Sequence, residues 1–122
     1  MTLIIGGRGQ GKLDYVLEKL GLTQDAVAHD PERAEKLPVL AGLETWLRSH
    51  PEPDWQALLA ENPRLVILCD EVGCGVVPVD PAERAWRERV GRTCCRLAAR
   101  ADRVERIFCG IATTLKGERD WN

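Results

Sequence analysis

The chain has 122 residues, of which 44% are hydrophobic and 30% are charged, and its formal net charge is −2. This length predicts one domain over residues 1–122 with a small core. The balanced charge gives no general attraction to nucleic acid or to a membrane surface, and no apolar run approaches the ~20 residues that span a bilayer.

The amino-terminal stretch predicts a strand, a glycine-rich turn and a helix in direct succession. Apolar residues predict the strand over residues 2–5, and an i, i+3, i+4, i+7 pattern from Leu13 predicts a helix over 12–20 that ends at Gly21. The turn between them fits the G-x-x-x-x-G-K spacing of a phosphate-binding loop. We therefore predict a nucleotide-binding loop that consists of Gly6, Gly7, Arg8, Gly9, Gln10, Gly11, Lys12 and Leu13.

The chemistry of this loop suits a polyphosphate. Glycines allow positive φ, so consecutive N–H groups turn inward and form an anion cradle at the positive end of the following helix. Lys12 supplies a point charge for the β- and γ-phosphates. Leu13 stands where a Ser or Thr would give its hydroxyl to Mg²⁺, and a leucine cannot bind a metal. A plain glycine turn after a buried strand is the alternative interpretation.

Short elements of both kinds are predicted in the middle of the chain. Prolines and glycines that interrupt regular structure, together with helix-capping residues, define where these elements begin and end. In chain order they are a strand within residues 25–29, a helical turn that Asp30-Pro31 opens, a strand within 37–40, a helix from Leu43, a loop over 49–54 and a helix that starts after Asp54 and stops before Asn62.

The second half predicts two strands and the longest helix. The apolar run Leu65 to Cys69 is typical of a strand buried on both faces, as in a parallel sheet. Asp80-Pro81 with Glu83 is a strong helix start, and helical apolar spacing follows as far as Ala101. A last strand is predicted over 104–109. Strands that alternate with helices predict an α/β sandwich around a mainly parallel sheet.

Two carboxylates, Asp70 and Glu71, follow directly on the buried strand. In open parallel sheets, ligands bind at the carboxyl ends of the strands. We predict that Asp70 holds Mg²⁺ and that Glu71 orients or deprotonates the attacking hydroxyl, so Lys12 and Glu71 are the predicted catalytic residues. The alternative is that both are solvated charges at a strand end.

The region around these carboxylates resembles the adenosylcobinamide kinase/adenosylcobinamide-phosphate guanylyltransferase family. The family pattern E-V-G-x-G-(I/V)-V-P, then R-x-x-R and a glycine, is similar to residues 71–78 with Arg84, Arg87 and Gly91. The glycine loop and the carboxy-terminal part of the chain also resemble that family. The resemblance covers residues 2–20 and about 65–117.

The resemblance implies a RecA-like P-loop fold and phosphorylation of the aminopropanol hydroxyl of adenosylcobinamide by ATP or GTP, late in cobalamin assembly. It implies that Arg84 and Arg87 bind nucleotide or substrate phosphate. The implied partners are a nucleotide and a corrinoid, not nucleic acid or a membrane, and family members form oligomers in the cytoplasm. Five cysteines without a C-x-x-C pair or an export signal also predict reduced, cytoplasmic thiols.

The chain departs from the family pattern at three places. Leu13 replaces the hydroxyl residue, and Val39 to Trp46 lacks the aspartate of V-L-x-D-C-L-T-L-W. The H-R-x-x-R-P segment with its guanylylated histidine has no counterpart around His29 or His50. We therefore expect the guanylyltransferase activity to be lost. Two alternatives to the kinase stay open, namely a catalytically impaired nucleotide- or corrinoid-binding regulator and a P-loop kinase that acts on another small alcohol.

Overall fold

The computed structural model describes residues 1–73, 78–118 and 121. The strands are β1 (Thr2–Gly6), β2 (Val27–Ala28), β3 (Val39–Leu40), β4 (Val66–Asp70), β5 (Arg103–Phe108) and β6 (Ile111–Lys116). The helices are α1 (Lys12–Leu20), α2 (Pro31–Ala34), α3 (Leu43–Ser49), α4 (Trp55–Glu61) and α5 (Pro81–Arg100), and a 3₁₀ turn covers Gln24–Ala26. The six strands form one sheet in the order β2-β3-β4-β1-β5-β6.

The sheet is mainly parallel and has helices on both faces. Its pairs from β2 to β5 are parallel, and only β6 runs antiparallel to its neighbour β5. Leu3 and Ile67 pack with residues of α3, α4 and α5, whereas Ile4 and Leu68 pack with Val16 of α1. Because successive side chains of a strand point to opposite faces, β1 and β4 contribute residues to the hydrophobic core on each face of the sheet. The predicted α/β sandwich around a mainly parallel sheet is confirmed.

The order of the strands places the glycine loop at the middle of the sheet. After β1 the chain crosses to the edge at β2, returns through β3 to β4 beside β1, and continues to β5 on the other side of β1. The carboxyl ends of β1 and β4 therefore lie at a topological switch point, where α/β sheets bind ligands. Within the described ranges, no helix combines the length and the apolar character that a membrane crossing requires.

The predicted helix starts at Asp30, Asp54 and Asp80 are confirmed. Each of these carboxylates accepts a hydrogen bond from a backbone N–H two or three residues further on. Such N-caps satisfy N–H groups that have no partner inside the helix. Gly21 ends α1 in the left-handed conformation, with φ of 66°. These boundaries depend on neighbouring residues only, which is why the sequence pattern predicts them.

The prediction of one last strand over 104–109 is wrong in its bounds and incomplete. β5 spans Arg103–Phe108, and Cys109 and Gly110, both with positive φ, turn the chain into β6. Positive φ at both central residues is what a two-residue hairpin of type I′ requires. The strand β6 has no predicted counterpart because its larger apolar side chains are exposed, so it lacks a buried run.

Three other predicted elements are shorter or shifted. The strand expected within 25–29 is reduced to Val27–Ala28 because Gln24–Ala26 forms a 3₁₀ turn. The strand expected within 37–40 is reduced to Val39–Leu40. The predicted loop over 49–54 begins one residue later, since Ser49 still belongs to α3.

Candidate functional site

The glycine-rich turn leaves β1 and ends as the start of α1. Gly9 and Gly11 have φ of 73° and 92°, which a residue with a side chain rarely adopts. Gly6 is required for another reason, because a Cβ there would lie 2.5 Å from the carbonyl oxygen of Ile107 in β5. The turn therefore depends on these glycines both for its own path and for the approach of β5.

Lys12, the first residue of α1, is buried and points back into the turn. Its Nζ donates to the carbonyl oxygens of Gly6 at 3.2 Å and Gly7 at 2.9 Å. The same Nζ lies 2.7 Å from Oδ1 of Asp70, the last residue of β4, which pairs with Gly6 in the register of the two strands. The structure thus brings the predicted loop and the predicted metal ligand into one pocket.

A cleft of about 350 Å³ opens beside this ion pair. It lies between the turn, the start of α1 and the segment that joins β3 to α3. The lining residues that concern the predicted site are Gly9, Gly11, Lys12, Leu13 and Asp70, joined by Gly42 and Glu44. An ammonium group, glycine backbone and carboxylates therefore face the same small volume, which suits a phosphate chain with its cation.

Glu44 is a site residue that the sequence interpretation missed. It lies in the first turn of α3, and its Oε1 accepts a hydrogen bond of 2.8 Å from the backbone N–H of Asp70. The segment Val39 to Trp46 lacks the aspartate of the family pattern, yet Glu44 brings a carboxylate to the cleft from that same segment. The sequence feature that could have indicated Glu44 is its position shortly after β3, the strand next to β4.

The donor set fits a magnesium ion that arrives with a nucleotide. Asp70 and Glu44 contribute carboxylates to the cleft, and Leu13 contributes no oxygen. Among the residues that the structure describes, no group of three or more His, Cys, Asp or Glu is arranged to hold a metal by itself. Mg²⁺ is commonly bound by one or two carboxylates together with substrate phosphates and water, which is what these residues allow.

The carboxylate of Glu71 pairs with β5, the strand on the side of β1 opposite to β4. Its backbone N–H donates to the carbonyl oxygen of Gly6 at 2.9 Å, and its two carboxylate oxygens accept from Arg106 of β5 at 2.9 and 3.0 Å. Arg106 is a second residue that the sequence interpretation missed, because the two partners are 35 positions apart. The predicted base is thus held by a bidentate ion pair next to the cleft.

Arg84 and Arg87 contact the segment that follows β4. Arg84 Nη1 donates to the carbonyl oxygens of Pro78 at 3.3 Å and Val79 at 3.2 Å, and Arg87 Nε donates to that of Val72. Both side chains therefore bind the backbone at the two ends of the family-like motif. Their binding of nucleotide or substrate phosphate stays a prediction.

The motif itself is only partly described. Cys74, Gly75, Val76 and Val77, which complete the likeness to the family pattern, lie outside the described residues. Arg8 is exposed at the tip of the glycine turn. Its contact with a nucleotide likewise stays a prediction.

Gln10 connects the glycine turn to the β5–β6 hairpin. Its side-chain Oε1 accepts from the N–H of Cys109 at 2.8 Å, and its carbonyl oxygen accepts from the N–H of Gly110 at 2.8 Å. The backbone N–H of Gln10 makes a long bond of 3.4 Å to the carbonyl of Gly7. The hairpin supports the loop from behind.

A pair of thiols lies behind Asp70. Cys69 of β4 is fully buried, and its thiol lies 3.6 Å from the carbonyl oxygen of Asp70. The Cys94 thiol of α5 and burial together raise the pKa of Cys69 far above its usual range. Cys69 in turn lowers the pKa of Cys94, against the opposing effect of burial. Cys94 is partly buried and packs against the core.

Comparison with known proteins identifies the family. Residues 40–115, more than half of the chain, match the family described as cobinamide kinase / cobinamide phosphate guanyltransferase. Over 53 residues the chain is 40% identical to the bifunctional adenosylcobalamin biosynthesis protein CobU of Salmonella typhimurium, and this alignment covers 43% of the chain and 29% of that protein. The chain belongs to the cobinamide kinase / cobinamide phosphate guanyltransferase family. The matched region begins after the glycine turn and includes Glu44.

Proposed function

We propose that this member of the cobinamide kinase / cobinamide phosphate guanyltransferase family is a nucleotide-dependent kinase of the cytoplasm. It binds ATP or GTP with Mg²⁺ on a RecA-like P-loop fold and phosphorylates the aminopropanol hydroxyl of adenosylcobinamide. The observation that carries the proposal is the 2.7 Å contact of Lys12 with Asp70 in a cleft beside the glycine turn. The position of that turn at the middle of a mainly parallel sheet supports it.

Lys12 acts by exchanging one anion for another. Without nucleotide, its ammonium group is held by Asp70 and by two carbonyl oxygens of the turn. A bound polyphosphate offers several charged oxygens and replaces Asp70 as the partner of Nζ. Asp70 is then released toward the metal side of the cleft. Backbone N–H groups of the turn orient the phosphates, and Lys12 stabilises charge that develops during transfer.

Asp70 and Glu44 would hold the magnesium ion together with the phosphates. When bound, the ion neutralises phosphate charge and so favours attack at the γ-phosphorus. Glu44 also fixes the end of β4, since it accepts the N–H of Asp70. Leu13 has an apolar side chain where a hydroxyl ligand would stand, so water would have to supply that ligand to a bound ion.

Glu71 is the proposed base for the acceptor hydroxyl. Its carboxylate must leave Arg106 to accept that proton. Glu71→Gln is expected to lower kcat strongly while nucleotide affinity changes little, because the Glu71 carboxylate pairs with Arg106, whereas Lys12 pairs with Asp70. Glu44→Gln is expected to lower the affinity for the magnesium complex as well.

Guanylyl transfer is proposed to be lost from the described site. His50 is stacked on Trp46, with ring centroids 3.6 Å apart, and its Nδ1 lies 3.3 Å from the Trp46 carbonyl oxygen. His29 is an exposed residue just after β2. Neither imidazole lines the cleft beside Lys12 among the residues described there.

A direct assay tests the kinase. Protein, adenosylcobinamide, Mg²⁺ and ATP or GTP are incubated, and the product is sought by mass spectrometry as a corrinoid that carries one added phosphate. We expect the product with the wild type, no product with Lys12→Ala, and a wild-type yield with Lys19→Ala, which removes an exposed lysine of the same helix. Absence of phosphorylated corrinoid from a folded, nucleotide-bound wild type would overturn the proposal.

A regulator that binds nucleotide without turnover is the second candidate. The observation that favours it is Leu13 in the cleft, at the place of a metal-binding hydroxyl. A nucleotide affinity that is unchanged by Mg²⁺, with no phosphoryl transfer, supports the regulator. An affinity that rises with Mg²⁺, together with product, supports the kinase.

A further inference from the structure

The strand β6 has no part in the proposed phosphoryl transfer, and in the described part of the chain it forms the outer edge of the sheet. It pairs with β5 along one side only. Beyond β6, Gly117 lies close to the backbone of Asp102. Trp121 then donates to the Glu105 carboxylate of β5, so the described tail turns back over the sheet. The other side of β6 therefore presents a row of N–H and C=O groups that can pair with a further strand.

The sequence of β6 lacks the residues that usually prevent edge-to-edge pairing. Charged side chains and prolines on the edge are the common devices. The first five residues of the strand, Ile111 to Leu115, carry no charge and include no proline. Lys116 does not protect the edge, because its Nζ donates to the carbonyl oxygens of Ala98 and Ala99 on α5 at 2.9 and 3.2 Å. Its charge is thus directed to the end of the helix.

The backbone of β6 is complementary to a second copy of itself. Phe108 and Ile111 flank the two-residue turn, and in such a hairpin this pair exchanges both N–H···O=C bonds. The pairs then alternate along the ladder, so the N–H and C=O groups of Ala112 and Thr114 point to the open side. The register shift with β5 comes only after Thr114. An antiparallel copy with Thr113 at a twofold axis places Ala112 opposite Thr114, and each open group finds a partner.

The same twofold pairing also matches the side chains of β6. Ile111 and Leu115 are 69% and 56% exposed, and the alternation of side chains along a strand places them on the same face. On that face Leu115 lines an apolar groove of about 340 Å³ with Cys94 and Ala98 of α5. In the antiparallel pair, Ile111 of each copy lies opposite Leu115 of the other copy and beside its groove. Such cross-strand apolar pairs stabilise antiparallel sheets.

We infer that the chain forms a twofold homodimer in which β6 of each copy pairs antiparallel with β6 of the other, so that two sheets become one continuous sheet. Twofold dimers, in which both subunits contribute the same surface, are the commonest closed assemblies. A second copy fits this edge because one symmetry axis satisfies both the open backbone groups and the exposed apolar side chains. The pairing is independent of the proposed function, since the nucleotide cleft lies at β1 and β4.

Sedimentation equilibrium and NMR-detected hydrogen exchange test the pairing in the wild type. We expect a monomer–dimer equilibrium. Exchange of the Ala112 and Thr114 N–H groups should slow as the protein concentration rises and the dimer forms. The N–H groups of Ile111 and Thr113 are internal controls, because they already bond to β5 and should exchange at the same rate at every concentration.

Charge substitutions on the exposed face test the register. Ile111→Lys and Leu115→Glu are each expected to raise the dissociation constant of the dimer about tenfold or more, because each places a charge in an apolar contact. The double variant should recover most of this loss, since its opposite charges meet across the axis but are too far apart within one chain. Gln56→Lys, which adds a charge at an exposed position of α4, is the matched control and should dimerise like the wild type.

Three results would overturn the inference. The first is a monomeric wild type at every concentration, which would leave the edge to a strand of another protein. The second is an assembly that Ile111→Lys leaves intact. The third is exchange of the Ala112 and Thr114 N–H groups that does not change with concentration. The exchange measurement uses the wild type, so it decides the matter even if a variant fails to fold.

Discussion

At the scale of single residues, the side chain that follows Lys12 determines how many oxygen ligands the cleft offers to a metal ion. Leu13 lines the cleft without an oxygen atom, while Asp70 and Glu44 bring carboxylates to it. Because Mg²⁺ prefers oxygen ligands, this is a position where one substitution can add a ligand. The position therefore gives a gain-of-function test, which truncation of a binding residue cannot supply.

Leu13→Ser is expected to raise the affinity for Mg·ATP or Mg·GTP by about tenfold, because its hydroxyl adds one metal ligand. Affinity for nucleotide without Mg²⁺ should stay near the wild-type value. Isothermal titration with and without the ion measures both. Leu13→Ala is the matched control, since it removes the same side chain without adding a hydroxyl. An equal gain in both variants would contradict the metal explanation.

Tyr15 tests the packing of α1 on β5. Its hydroxyl donates to Glu105 at 2.7 Å, and burial together with this bond raises the pKa of Tyr15 from 10.0 to about 12. A raised pKa means that the folded chain holds the proton more tightly than the unfolded chain. This contribution to stability is therefore fully present below pH 10 and is lost as the pH rises through about 12.

Tyr15 is the only tyrosine, so tyrosinate absorbance reports it alone. Half-ionisation of the folded protein is expected near pH 12, and Glu105→Gln should move it toward 10. In Tyr15→Phe, the fall of the unfolding free energy between these two pH values should be shallower than in the wild type. A wild-type midpoint near the value of free tyrosine would contradict the observed contact.

At the scale of elements, the glycine turn is built by two neighbours as well as by its own residues. The strand β5 approaches Gly6 so closely that a Cβ would meet the Ile107 carbonyl oxygen at 2.5 Å. Gln10 joins the turn to Cys109 and Gly110 of the β5–β6 hairpin. Because the hairpin is fixed to the loop, a shift of β5 should reach the nucleotide site.

Gly6→Ala is expected to lower the free energy of unfolding by about 1–3 kcal/mol, since backbone must move to admit the methyl group. Urea unfolding measures the loss. Gly7→Ala is the matched control, because a Cβ there meets only the Gln10 side chain at an ordinary 3.5 Å. Equal free energies of unfolding for the two variants would contradict this prediction, because they would show that β5 can move away from residue 6 without loss of stability.

Elements with local signals were predictable, and elements defined by long-range pairing were not. Asp54 and Asp80 cap helices that begin at the next residue, so the sequence pattern is sufficient. The strand β6 depends on its pairing with β5, and its larger apolar residues are exposed. Glu44 and Arg106 could not be predicted for the same reason. Glu44 contacts Asp70, 26 positions away, and Arg106 contacts Glu71, 35 positions away.

At the scale of the whole molecule, the order of the strands assembles the candidate site. Gly6 and Asp70 are 64 positions apart in the chain, yet they pair in adjacent parallel strands. The buried run before Asp70 and the apolar residues before Gly6 predicted two strands of one sheet, but not that these strands are neighbours. Their adjacency, together with α3 at the same edge, is what creates the cleft.

Titration of ATP and GTP into the folded chain, with and without Mg²⁺, tests this account most directly. We expect the wild type and Lys19→Ala to bind at least one of the two nucleotides, more tightly with Mg²⁺, and Lys12→Ala to lose about tenfold or more in affinity. Wild-type affinity in a folded Lys12→Ala, or no binding of either nucleotide by the wild type, would contradict a phosphate site between the glycine turn and Asp70.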